Sequence, residues 1–112
     1  MNTGGPVDTL VACQWRGAIN HDERVGKIEL LVLHYTGMRR AAEALDRLCD
    51  PAAKVSAHYL IDEDGAVVAL VPDELRAWHA GACWWQGRSA LNDVSLGIEL
   101  VKDRKTKEPN PE

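Results

Sequence analysis

Apolar residues gather first at positions 28–35, where Ile28, Leu30, Leu31, Val32 and Leu33 are broken only by Glu29 and closed by His34 and Tyr35. A run so nearly unbroken suits a strand covered on both faces, so a central strand is expected with His34 at its exit. From 39 to 49, Ala41, Ala44, Leu45 and Leu48 recur at helical spacing, and Glu43, Asp46 and Arg47 fall on the other side. This predicts an amphipathic helix that stops at Asp50-Pro51, because the residue before a proline avoids the helical region. Segments 55–61 and 66–71 read as two strands of a hairpin, with Asp64-Gly65 able to take the positive φ of a tight reversal. Residues 72–75 read as a short turn, 80–92 as a loop rich in Gly, Trp and Ser, and 94–101 as a last strand. Strands interleaved with a helix, one in a hairpin and one buried, predict a single α/β domain with a mixed central β-sheet and flanking helices.

The chain's 112 residues suffice for one core and leave no room for a second domain. Its first six residues offer nothing apolar to dock, and 102–112 is charged, ends in prolines and lacks periodicity, so it is expected to be disordered. The domain is therefore assigned to 1–101. A formal charge of -4 with scattered Lys and Arg argues against nucleic acid as a partner. Cys13, Cys49 and Cys83 lie far apart and cannot all pair, which argues against a disulfide scaffold. No apolar stretch reaches the roughly 18 to 20 residues that cross a bilayer. Leu10-Val11-Ala12-Cys13 superficially matches the box before a lipid-modified cysteine, but no Lys or Arg precedes it and Asp8 interrupts it, so it is read as part of the fold. No signal peptide is read, and cytoplasm and periplasm both remain open.

Glu99 interrupts the last apolar strand near its end. Alternation sets Leu96, Ile98 and Leu100 on one face and Ser95, Gly97 and Glu99 on the other, a small, open, carboxylate-bearing surface. Glycine inside a strand often marks a close approach, so Gly97 hints at a cleft floor. Taken alone, Glu99 could equally be a surface carboxylate and His34 a structural histidine. Together, each at the end of a strand, they could share one site, and ligands gather beyond the carboxyl ends of strands in open sheets. A metal-bound water and a general base are the parts a hydrolase needs. His58 is expected to pack structurally, and His21 to be exposed. His79 follows Trp78 at the mouth of the loop that holds Trp84, Trp85 and Arg88, an arrangement suited to a groove that stacks on sugar or peptide.

Four stretches follow one another in order: Leu31 to Thr36 (Leu-Val-Leu-His-Tyr-Thr), Val55 to Asp62 (Val-Ser-Ala-His-Tyr-Leu-Ile-Asp), Ala77 to Gly81 (Ala-Trp-His-Ala-Gly) and Asn92 to Leu100 (Asn-Asp-Val-Ser-Leu-Gly-Ile-Glu-Leu). Together they resemble the zinc N-acetylmuramoyl-L-alanine amidases of the peptidoglycan-recognition-protein fold, over roughly residues 25 to 101. The resemblance is strongest to the bacterial amidases of cell-wall recycling and remodelling. It implies His34 as a zinc ligand, Glu99 as the catalytic carboxylate, and Trp78, His79, Ala80, Gly81 and Trp85 as lining for peptidoglycan or muropeptide substrate. The bond cut would join the lactyl group of muramic acid to the first alanine of the stem peptide.

One departure matters. The family's other two zinc ligands, a His and an Asp, and a Lys that steadies the oxyanion, follow the Gly-Ile-Glu strand, and no residues here align to them. A single ligand does not make a zinc site, so this chain is not expected to hold zinc tightly by itself. A truncated amidase is expected, with an exposed core prone to self-association. The alternative is a non-catalytic peptidoglycan-binding module or an inactive truncated amidase. A domain that only contacts another protein would fit the composition and explain none of the motifs.

Overall fold

The computed structural model describes residues 13–80 and 91–102. Five strands form the main sheet in the order β1, β5, β4, β7, β3: β1 is Gln14–Trp15, β3 Leu30–Tyr35, β4 Tyr59–Ile61, β5 Val67–Ala69 and β7 Ser95–Leu100. The β4–β5 pair is antiparallel, whereas β1–β5, β4–β7 and β7–β3 are parallel, so the sheet is mixed as expected. Two further short strands, β2 (His21–Glu23) and β6 (Leu75–Ala77), pair antiparallel as a separate ribbon that the apolar pattern did not announce. His21, expected to be exposed, is half-buried in this ribbon opposite Ala77.

The helix α1 spans Ala41–Leu48 and buries Ala44 and Leu48 against the core that holds Leu60, Leu70, Val71 and Ala77. It ends where expected: Asp50 accepts from the Ala52 N–H at 2.9 Å and opens a short 3-10 turn at Pro51–Ala53. In the β4–β5 hairpin, Gly65 sits at φ 90 and its N–H donates to the Asp62 carbonyl at 2.9 Å. The strand pairing of 55–61 starts only at Tyr59, because the preceding backbone turns to other partners. Ser56 N–H donates to the Trp78 carbonyl and His58 N–H to the Gly97 carbonyl.

The run at 28–35 corrects one expectation. Among the described residues β3 lies at the edge of the sheet with β7 as its one neighbour, and β7 is held from both sides by β3 and β4. Burial along β3 alternates, and Leu31, Leu33 and Tyr35 are 60%, 57% and 61% exposed. An unbroken apolar run is compatible with cover on both faces but does not require it, since hydrophobicity shows what a strand tolerates and not what lies against it. Of the tail expected to be disordered, 102–112, Lys102 is described and its N–H donates to the Thr36 hydroxyl at 3.2 Å, while 103–112 fall outside the described residues, as do residues 1–12.

Candidate active site

Registry brings His34 and Glu99 together. In the parallel β3–β7 pair they are direct partners, and Glu99 is in turn the partner of Leu60 on β4. Partners on neighbouring strands point their side chains to the same face, so Leu60, Glu99 and His34 form one row on the α1 side of the sheet. A cleft of about 220 Å³ opens at Glu99, lined among others by His79, Thr36, Arg47 and Ser56. Burial pushes the Glu99 carboxyl above its usual range, and the neighbouring His34 pulls it partly back. A carboxyl of raised proton affinity beside an imidazole is suited to taking up a proton and giving it back.

The histidine expected at a loop mouth lies deeper than that. His79 is half-buried, with Nδ1 3.0 Å from Nε2 of His34 and Nε2 2.8 Å from the Ser95 hydroxyl. Its ring covers Gly97 so closely that a Cβ there would stand 2.3 Å from the imidazole Cγ. The close approach that Gly97 hinted at is therefore made by a side chain of the same molecule, and no larger residue fits. The backbone of this segment is pinned by Asn92, whose side-chain oxygen accepts the N–H groups of His79 at 2.9 Å and Ala80 at 2.8 Å. Burial, then the two neighbouring imidazoles of His34 and His58, push the His79 pKa down to about 4.

His58 behaves as the structural residue that was expected. It is buried, and Gly97 N–H donates to its Nδ1 at 3.0 Å. The ring proton must then sit on Nε2, which donates to the Leu75 carbonyl at 2.9 Å. Burial lowers its pKa, in keeping with a neutral ring. Trp78 presents its backbone N–H to Ser56 and its side chain to Asp22, so its position is set by the β2–β6 ribbon. Gly81, Trp84, Trp85 and Arg88 lie outside the described residues.

Two contributors escaped the sequence. Arg24 fans its guanidinium across the backbone carbonyls of Asp73, Leu75, Asp93 and Ser95 at 2.9–3.2 Å, tying the turn before β6 to the start of β7. Ser95 is fully buried, and its hydroxyl donates to the Leu91 carbonyl at 2.7 Å while it meets His79. A lone arginine in a polar stretch carries no periodic signal, and Ser95 was legible only as a small residue on the open face.

A family described as N-acetylmuramoyl-L-alanine amidase matches residues 24–112. The chain belongs to this amidase family. Over 47 residues, 42% of this chain, it is 57% identical to the 1,6-anhydro-N-acetylmuramyl-L-alanine amidase AmpD of Escherichia coli, of which that stretch covers 26%. The crystal structure of a selenomethionine AmpD derivative superposes with a TM-score of 0.75 at 33% identity, covering 88% of this chain and 66% of that one. The E. coli amidase AmiD, solved as a complex with the substrate anhydro-N-acetylmuramic acid-L-Ala-D-gamma-Glu-L-Lys, superposes at 0.60 and 34% identity over 92% of this chain and 38% of its own. The chain thus matches only part of the length of these amidases, and within that part it has the family's mixed α/β architecture.

Zinc, the metal the resemblance implies, can be tested against the donors present. Among the described residues no group of three His, Cys, Asp or Glu side chains comes together to hold a metal ion. His34 also has one ring nitrogen engaged by His79. The described residues offer one nitrogen donor and a carboxylate in the neighbouring register position, which do not amount to a zinc site.

Proposed function

We propose that this chain supplies the His34 and Glu99 half of an N-acetylmuramoyl-L-alanine amidase that hydrolyses the amide between N-acetylmuramic acid and the L-alanine of the stem peptide. The observation that carries the reading is the in-register pairing of His34 with Glu99 on one sheet face, beside a cleft. Family membership and the muropeptide bound to AmiD support the substrate class. Water adds its oxygen to the amide carbon, the C–N bond breaks, and the proton lost by water must reach the departing alanine nitrogen. Glu99 is the group suited to that transfer, because burial raises its affinity for a proton it must both accept and give back. Trp78, His79 and Ala80, with Gly81 and Trp85, are proposed to shape the groove around the stem peptide; His79 lines the cleft and also touches His34 and Gly97. Zinc remains the family's implied metal, with His34 as its contributor from this chain, and no step is assigned to it.

Replacing Glu99 by Gln in the full-length protein keeps the shape of the side chain and removes its basicity. Release of stem peptide from anhydromuramyl peptides should fall by about 100-fold or more, with circular dichroism unchanged. Retained turnover would remove Glu99 from the role. The absence of a three-ligand group among the described residues also favours a second reading, binding of muropeptide without cleavage. That reading requires muropeptide affinity that survives chelation of metal, and calorimetry showing no binding after chelation would dispose of it.

A further inference from the structure

We infer that Ser95 and His79 fix the imidazole of His34 in its Nε2–H form and leave Nδ1 as that ring's open electron-pair donor. Three contacts in line fix where each proton sits. The Ser95 hydroxyl oxygen stands 2.7 Å from the Leu91 carbonyl oxygen, which can only accept. Two oxygens so close need a proton between them, and the only one available is the hydroxyl's own. Its proton being committed there, the same oxygen can meet His79 Nε2 at 2.8 Å only as an acceptor, so the His79 proton sits on Nε2. The ring of His79 lies against Gly97 and stands edge-on to two other imidazoles, His34 with ring centroids 5.2 Å away and His58 at 6.3 Å, and a neutral imidazole carries one proton only, here the one on Nε2. Its Nδ1 is then a lone pair, and the 3.0 Å contact with Nε2 of His34 exists only if His34 donates.

The direction of the chain is set at its far end, by a backbone carbonyl that no side-chain rotation can convert into a donor. Asn92 holds the backbone of His79 and Gly97 leaves room for its ring, so both make this line of contacts possible. Ser95 and His79 are thus positioning residues, acting on the substrate site through His34. This deepens the amidase reading and rests on it for the chemical consequence, because it names the nitrogen through which His34 would act. The tautomer itself does not depend on the enzyme's substrate.

The test is long-range proton–nitrogen correlation NMR on the 15N-labelled chain, treated with chelator, near neutral pH and without substrate. His34 and His79 should both show the proton on Nε2, and His58, whose tautomer is set by the Gly97 N–H, should do the same. Ser95→Ala removes the acceptor for His79 and should raise the Nδ1–H share of His79, and through it of His34, by about fivefold, the population ratio that one ordinary hydrogen bond controls. Ser95→Thr keeps a hydroxyl and should restore the parent pattern, while His58 stays constant in all three proteins as a gauge of intact folding. A proton on Nδ1 of His34 in the parent chain, or no change in Ser95→Ala with His58 unaltered, would overturn the inference. Retained turnover in Glu99→Gln, by contrast, would sink the amidase role of that carboxylate and leave these tautomers as they are.

Discussion

The two faces of the β3–β7 ladder are built from the same alternating strands and meet opposite surroundings. On the α1 side Leu60 is buried and Glu99 and His34 are half-buried, and among the described side chains every buried polar atom has a hydrogen-bond partner. On the other side Leu31, Leu33 and Tyr35 stand open to solvent beside the half-buried Ile98 and Leu100. Polar groups are thus protected while large apolar ones are exposed, the reverse of the usual division. The covered face tolerates its polar residues because each contact is geometrically specified, whereas the open face carries apolar area with nothing specified against it. A substitution should therefore cost much on the first face and little on the second.

The sharpest contrast is Gly97→Ala. A methyl group 2.3 Å from the His79 ring must displace an imidazole held at both nitrogens, and overpacking combined with loss of those bonds should cost about 3 to 4 kcal/mol in urea unfolding. An effect below about 1 kcal/mol would show that the ring moves aside freely. Leu60→Ala, in the row of Glu99 and His34 and fully buried, should cost about 3 kcal/mol through lost burial and a residual cavity. Leu33→Thr, next to that row but turned outward, should change stability by no more than about 0.5 kcal/mol. The open face is also proposed to drive self-association, so Leu33→Thr should reduce concentration-dependent sedimentation. Equal costs for Leu60 and Leu33 would erase the distinction between the faces.

Acid should weaken the covered face selectively. The pKa of His79 is lowered from 6.5 to about 4, so between those values the unfolded chain binds the proton more readily than the folded one. Stability from this group is complete above about pH 6.5 and is lost as pH falls towards 4, and His58, lowered by burial, adds in the same direction. Glu99 opposes them on its own side: its raised pKa means the folded chain holds that proton longer, so its contribution declines as pH rises through the interval above 4.5. Denaturation midpoints measured from pH 7 to pH 4 should fall, and His79→Gln should flatten the slope. An unchanged slope would mean that His79 is not the group being protonated.

The helix, the hairpin reversal at Gly65 and the last strand were legible because each obeys a local rule: a 3.6-residue stripe, a positive-φ glycine, an alternating run. The two residues at the heart of the candidate site were legible as strand-end polar groups. That they share a row was not, because register is settled by which strands become neighbours, and β3 pairs with a strand more than sixty residues later in the chain. The same limit explains the misplaced β3 and the unseen β2–β6 ribbon. Short strands have too few residues to show a period, and an apolar run does not name its neighbours.

The sequence by itself determined the elements that depend on nearest neighbours along the chain, and the identities of His34, Glu99 and Gly97. Tertiary structure alone decided that His79 would lie over Gly97, that Ser95 would commit its proton to Leu91, and that Leu31, Leu33 and Tyr35 would face outward. The reason is physical: backbone propensity acts over a few residues, whereas the direction of a hydrogen bond and the cover of a face depend on atoms brought together from distant parts of the chain.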